Sequence, residues 1–285
     1  GDVFAVNHDG TSVEGFPYIL GEKIKSGVAL ADMNGNGIDD IIFGTEDGNL
    51  YLLLDDLSIP KGFPFTADDK FLYSPVIVDD SEKKIIIIPC ENNHIYGILD
   101  NGDLHFDINI LSDIESSVSI NTFQNNILFY INIDNYVKAY NLNGELIYDI
   151  DGVSKPVGSV IFSDLDVDGI AEMIIGDDSG YIYIYSLDDY TEHNLQIYNY
   201  FKLSSHLSVD DIDNDGDMEI VGGTTASLLV QDIKTLGDNS NYWNTYQGNL
   251  RRTGFYDTFC LIPGDLDGSS SLNIIDLIIF INIIL

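Results

Sequence analysis

The chain has 285 residues, 45% of them hydrophobic and 21% charged, and 47 acidic residues against 12 basic ones give a formal net charge of −35. That much apolar material suffices for a core and excludes global disorder. The charge excludes nucleic acid and anionic membrane surfaces as partners, because both are held through Lys and Arg.

Such a charge suits a protein that gathers cations, with solubility or salt adaptation as the other reading. The acids fall in short Asp-rich clusters, not among compensating bases. The chain opens on Gly1 with no signal peptide, which we read as the product of processing or truncation. The two cysteines, Cys90 and Cys260, form no CxxC and define no disulfide framework.

In chain order, the opening segment DVFAVNHDGTSVEGFPYI (from Asp2) matches only the second half of a longer unit. Its Gly15-Phe16-Pro17 returns as Gly62-Phe63-Pro64. From Val28 a full unit begins, VALADMNGNGIDDIIFG. Related runs start at Val76, Val118, Val160 and Leu207. Their first loop residues are Asp32, Asp79, Asn121, Asp164 and Asp211, spaced 47, 42, 43 and 47 residues apart. A period of roughly 40–50 residues is that of a four-stranded propeller blade.

Within each unit a β-rich run precedes the polar loop and an apolar run follows it. Third and fourth runs are set off by Asp-Gly, Ser-Gly or Asn-Gly turns, such as Asp47-Gly48, Ser179-Gly180 and Asn101-Gly102. Alternation, β-branched and aromatic enrichment and these dipeptides predict antiparallel hairpins. The expected fold is all-β, a β-propeller of four-stranded blades. About five and a half blades are present, and about six or seven would close the ring. Either inner strands and whole blades lie upstream, or a compact six-blade ring shares its first blade between the two ends.

Three loops carry oxygen side chains at fixed offsets. Asp164, Asp166, Asp168 and Glu172 stand at positions 1, 3, 5 and 9, with Gly169 at the sharp turn and the Ile170 carbonyl at position 7. The second set is Asp211, Asp213, Asp215, the Asp217 carbonyl and Glu219 around Gly216. The third is Asp32, Asn34, Asn36, the Ile38 carbonyl and Asp40 around Gly37. Hard oxygen ligands on a flexible loop suit Ca²⁺, whereas Mg²⁺ demands a tighter octahedron. Asp, Asn and Gly also make good turns without a metal. That alone does not explain the fixed offsets, and carboxylates packed so closely repel one another unless a cation sits among them. The Asp32 loop carries fewer charges and is expected to bind more weakly. The loops at Asp79, with Lys83 and Lys84, and at Asn121, with no carboxylate, read as ordinary turns.

These repeats resemble the FG-GAP or VCBS-type propeller repeats shared with the integrin alpha-chain head, over about residues 1 to 256. The resemblance implies Ca²⁺ held in the three loops. The stretch from Tyr242-Trp243-Asn244 through Arg251-Arg252-Thr253-Gly254 resembles a closing motif of secreted bacterial propellers of this kind. It reads equally as a last blade strand with Trp243 in the core.

After a linker at 257–263 comes a tail at 264–285. Counting from Asp265, oxygen side chains stand at Asp265, Asp267, Ser269, Asn273 and Asp276, with the Ser271 carbonyl at position 7. That is an EF-hand-like spacing. Leu277, Ile278, Phe280, Ile281 and Ile284 then predict a short helical apolar face. The tail resembles the first half of a type I dockerin. Ser269 and Ser270 depart from that family's Asp/Asn-then-Gly, and only one of its two repeats stands before Leu285, so we read the chain as truncated inside this module. The resemblance implies a fourth Ca²⁺ site, a cohesin-like partner and a secreted or cell-surface location, where millimolar calcium fills weak sites.

Sequence motifs give no nucleophile–base set: there is no GxSxG, HExxH, P-loop or GxGxxG after a strand. The five histidines are dispersed, and His94 and His105 read as strand residues. The expected function is a non-catalytic, calcium-binding propeller for adhesion, binding or scaffolding, with a protein or glycan ligand. Two alternatives stay open. One is an accessory region of an exported peptidase or glycan-degrading enzyme. The other is a propeller enzyme such as a calcium-dependent polysaccharide lyase.

Overall fold

A computed structural model describes residues 1–124, 126–188, 197–240 and 242–257. Two short strands, β1 (Asp2–Val3) and β2 (Tyr18–Ile19), pair with each other. The first blade is β3 (Val28–Ala31), β4 (Asp40–Gly44), β5 (Asn49–Leu53) and β6 (Phe65–Thr66). The second is β7 (Val76–Asp79), β8 (Lys84–Pro89), β9 (His94–Leu99) and β10 (Leu104–Asn109). The third is β11 (Ser119–Phe123), β12 (Asn126–Ile133), β13 (Tyr136–Asn141) and β14 (Leu146–Asp151). The fourth is β15 (Pro156–Ser163), β16 (Glu172–Asp177), β17 (Tyr181–Ser186) and β18 (Ile197–Tyr198). The fifth is β19 (Leu203–Asp210), β20 (Asp217–Thr224) and β21 (Leu228–Leu236). A last strand, β22 (Phe255–Asp257), runs parallel to β7. The chain is an all-β propeller, and each repeat read from the sequence is one blade.

Blades stack face on face, so their middle strands are covered on both sides. Such strands read as continuous apolar runs, not as alternation. Ile85, Ile86, Ile87 and Ile88 of β8 are all fully buried. Ile42 and Leu50 of the first blade pack with Ile77, Ile86 and Ile98 of the second. Ile174 and Ile182 of the fourth pack with Leu207 and Ile220 of the fifth. Each such side chain contributes about 1.5–3 kcal/mol by leaving water. The outer strands β10 and β14 expose residues such as Leu104 and Leu146 and show the expected mixture.

The segment after the fifth blade ties the inner strands together. The N–H of Leu30 in β3 donates to the Thr253 carbonyl at 2.7 Å, and that of Ile77 in β7 to Gly254 at 2.7 Å. Phe162 in β15 donates to Trp243 at 3.0 Å and Val209 in β19 to Asn244 at 2.9 Å. The third blade is reached through Thr122 and the Tyr256 hydroxyl, 2.7 Å apart. An inner strand facing the axis has a row of backbone groups that need partners, and this segment supplies them for some. Trp243 is 2% exposed in the largest core cluster. Gly248, at φ 81°, lets the chain pass over the indole, since a Cβ there would stand 2.6 Å from it.

Thus the Trp243 stretch neither extends the fifth blade nor completes the β1–β2 sheet. It lines the inner edges, and β22 joins the second blade. Among the described residues no helix is long and apolar enough to cross a membrane. Cys90 is buried and its thiol is pushed up to about 11, mainly by burial. Cys260 and the dockerin-like tail lie outside the described residues.

If the axial segment holds the blades together, Trp243→Ala should cost about 3–5 kcal/mol, the range for truncating a buried aromatic. Urea unfolding followed by far-UV circular dichroism measures it. A loss below about 1 kcal/mol would show the indole to be peripheral.

Candidate metal centres

The three acid-rich loops occupy the same corner of their blades. Each joins the innermost strand to the second: β3 to β4, β15 to β16 and β19 to β20. Their internal hydrogen bonds repeat. The carboxylate at position 1 accepts the N–H groups of positions 5 and 6. Asp32 accepts Asn36 at 3.1 Å and Gly37 at 2.6 Å. Asp164 accepts Asp168 at 3.2 Å and Gly169 at 2.9 Å. Asp211 accepts Asp215 at 3.2 Å and Gly216 at 3.1 Å. The acid at position 9 reaches back to the N–H of position 2: Asp40 to Met33 at 2.9 Å, Glu172 to Leu165 at 2.7 Å, Glu219 to Ile212 at 2.8 Å.

Positions 4 and 6 are both left-handed, at Gly35 and Gly37, Val167 and Gly169, Asn214 and Gly216. Position 4 was not singled out by the sequence reading. Gly and Asn take that conformation readily, but Val167, with φ 60°, is a β-branched residue in a strained state.

In the fourth blade, ligand atoms of Asp164, Asp166 and Glu172 lie within 4.8 Å of one another. Asp168 instead accepts the Ile170 N–H at 2.8 Å. In the fifth blade the group is Asp213, Asp215, Asp217 and Glu219. The Asp217 side chain joins it, although only its carbonyl was expected there, and Asp211 stays on its backbone donors. Lys234 of β21 stands 3.8 Å from Asp217 and also pairs with Asp232.

At the candidate ligand positions the first blade holds two carboxylates, Asp32 and Asp40. Asn34 accepts the Asn36 N–H at 3.0 Å and Asn36 the Ile38 N–H at 2.8 Å. The sequence reading missed Asp55. It lies beyond β5, yet it accepts the Asn36 side-chain amide at 2.9 Å and its N–H donates to Asp40 at 2.9 Å. The loops at Asp79 and Asn121 are shorter. β7 and β8 are joined by four residues, and Lys84 stands 3.6 Å from Asp79. β11 and β12 are joined by two. The predicted tail ligands Asp265, Asp267, Ser269, Ser271 and Asp276 lie outside the described residues.

The electrostatics of the corners are unfavourable without a counter-charge. Glu172 is 4% exposed, and its carboxyl is pushed up to about 7, first by burial and then by the charges of Asp166, Asp164 and Asp168. Asp40 is raised by burial, with the charges of Asp55 and Asp32 adding to it. Asp217 is pushed up to about 6, first by sharing a proton with Asp215 and then by burial. Asp32 is also opposed by burial, but the N–H groups of Gly37, Gly35 and Asn36 hold it below the usual range. Two unit charges within 4.8 Å of each other, as at Asp164 and Glu172 when both are ionised, repel by about 3 kcal/mol or more at an effective dielectric constant of about 20.

The residues fit a hard divalent cation. Every side-chain donor is oxygen. A Ca²⁺ bonded at about 2.4 Å places opposite ligands about 4.8 Å apart. Glu219 Oε1 is buried with no hydrogen-bond partner, the state expected of an oxygen meant for an ion.

No family model matches the chain, and no curated protein matches it. Solved structures do. Two are of BBS1N in complex with ARL6DN. The lead-soaked one has TM-score 0.58 and 13% identity, covering 81% of this chain and 71% of that one. The mercury-soaked one has TM-score 0.59 and 12% identity, covering 80% and 70%. A third, the computationally designed Ika8 protein, has TM-score 0.52 and 14% identity, covering 80% and 63%. At such identities the likeness shows the fold alone, a β-propeller.

The raised carboxyl of Glu172 fixes a pH dependence for the metal-free protein. The folded state keeps a proton up to about 7 that the unfolded chain releases near 4.5. The resulting stabilisation is complete below 4.5 and is lost as pH rises through 7. In protein stripped of metal by EGTA at pH 7.5 and exchanged into metal-free buffer, the melting temperature should therefore be higher at pH 5.5 than at pH 7.5. A metal-free melt that rises over that interval would contradict this placement of Glu172.

Proposed function

We propose that this chain is a calcium-loaded, non-catalytic propeller that serves as a binding or scaffold module outside the cell. The observation that carries the reading is the repeated corner in which a buried acid, Glu172 or Glu219, meets neighbouring carboxylates. A bound Ca²⁺ supplies the counter-charge that lets these acids stay ionised. Asp164, Asp166 and Glu172 would hold one ion, and Asp213, Asp215, Asp217 and Glu219 a second. Asp32, Asn34, Asn36 and Asp40 would hold a third, weaker one, with position-7 carbonyls adding oxygen.

The FG-GAP/VCBS and dockerin-like resemblances rest on the residues themselves and carry the secreted or cell-surface location and the cohesin-like partner as parts of the proposal. A protein-binding role is compatible with the fold, since BBS1N was crystallised in complex with ARL6DN.

Calcium binds the native corners and not the unfolded chain, so it should stabilise the fold. At 1,000 times the dissociation constant one site contributes about 4 kcal/mol. Adding EGTA should lower the melting temperature by several degrees, and calorimetric titration should count three ions in the propeller. Asp166→Ala and Asp213→Ala should each remove one tight site, while Asp79→Ala leaves the count unchanged. A melt indifferent to EGTA would refute the metal reading.

A further inference from the structure

Counting back five residues from the first position of each loop gives Gly27, Ser74, Ser116, Ser159 and His206. Four repeats place a small residue there, and the fifth alone places an imidazole. Gly27, Ser74 and Ser116 stand just before the inner strands β3, β7 and β11, and Ser159 and His206 stand at the fourth residue of β15 and β19, all toward the end of the ring away from the acid corners. Four of them, Gly27, Ser74, Ser116 and His206, line with Tyr246 of the axial segment a cavity of about 230 Å³ that Lys25, Glu115 and Ser117 also border. That is room for about eight waters at about 30 Å³ each.

The lining is pre-organised and has hydrogen-bonding capacity to spare. The Ser159 N–H donates to His206 Nδ1 at 3.0 Å. The neutral ring therefore carries its proton on Nε2, and burial, with the charge of Arg252, lowers its pKa and keeps it neutral. That Nε2–H has no acceptor among the described residues. The imidazole lies 4.1 Å from the Tyr246 ring, and the Tyr246 hydroxyl is 2.8 Å from Ser74 Oγ. Ser116 Oγ accepts the Asn132 N–H and Ser117 Oγ the Ser74 N–H, both at 3.2 Å. Both serines are buried, at 3% and 4% exposure. A hydroxyl that accepts a backbone donor still has its own proton to give, and neither of these has an acceptor among the described residues.

We propose that this axial mouth binds a neutral, polyhydroxylated ligand, the terminal sugar of a glycan, through Ser116, Ser117, His206 and Tyr246. The proposal rests on the binding-module reading and names its ligand class. Hydroxyl and imidazole donors match sugar oxygens, and the Tyr246–His206 pair offers ring surface for the C–H face of a pyranose. An apolar ligand would strand the buried hydroxyls. An anion would meet a chain of net charge −35, and the lining cation, Lys25, is already paired with Glu46 at 2.7 Å.

The test uses the calcium-loaded chain and the methyl glycosides of glucose, galactose, mannose and N-acetylglucosamine, followed by saturation-transfer NMR. At least one glycoside should bind, shift the His206 Nε2 resonance of the unmutated protein, and bind about tenfold more weakly to His206→Ala and to Ser116→Ala. The His206 resonance needs no variant, so a misfolded mutant does not spoil the reading. The proposal is overturned if no glycoside moves that resonance, or if binding survives both substitutions. It is equally overturned if N-acetyl-lysine methylamide binds in place of the sugars and loses affinity in Glu115→Gln, which would assign the mouth to a basic peptide. Calcium stoichiometry on the same samples separates the two readings, since a chain that holds its ions yet ignores sugars fails only the glycan proposal.

Discussion

Buried like charges at the blade corners are the constraint on which this reading of the structure turns. Each corner solves a backbone problem with carboxylates. The position-1 acid gathers the N–H groups of a tight turn, and the position-9 acid reaches back to position 2, as Glu172 does to Leu165. The same bonds crowd further acids into one small volume. Turn formation alone needs one or two of them. The surplus acids, Asp166 in the fourth blade and Asp213 in the fifth, crowd their charged neighbours, a repulsion that a bound cation would relieve.

The rest of the fold divides its tasks along the chain. Hydrophobic burial between blades supplies the bulk of the driving force, which is why β8 carries four consecutive buried isoleucines. Burial does not by itself fix the inner edges. There the segment holding Trp243, Thr253 and Tyr256 hydrogen-bonds across the ring. One end of the axis is thereby filled with small, hydroxyl-rich positions, while the opposite corners hold the acids. The repeat thus presents two chemically distinct faces from one sequence pattern.

Much of this was legible in the sequence. The period of the Asp-led loops gave the blades, because each unit must supply the same hairpins. Oxygen residues at fixed offsets marked the corners. The axial path of the last segment had no local signal, since its partners Leu30, Ile77 and Phe162 lie far away in the chain and are joined to it by backbone groups. Asp55 was missed because it follows β5 and stands outside the loop pattern it completes. The left-handed position 4 was visible in Gly35 and Asn214 but masked by Val167, where the turn overrides side-chain preference. His206 drew no notice as one of five scattered histidines. Only repeat alignment shows that it replaces the serine or glycine of the other blades.

The most direct measurement is anomalous X-ray diffraction at long wavelength from crystals grown in excess calcium. The account predicts strong anomalous peaks among Asp164, Asp166 and Glu172 and among Asp213, Asp215, Asp217 and Glu219, with a weaker one beside Asp32 and Asp40. Well-ordered corners without such peaks would contradict it.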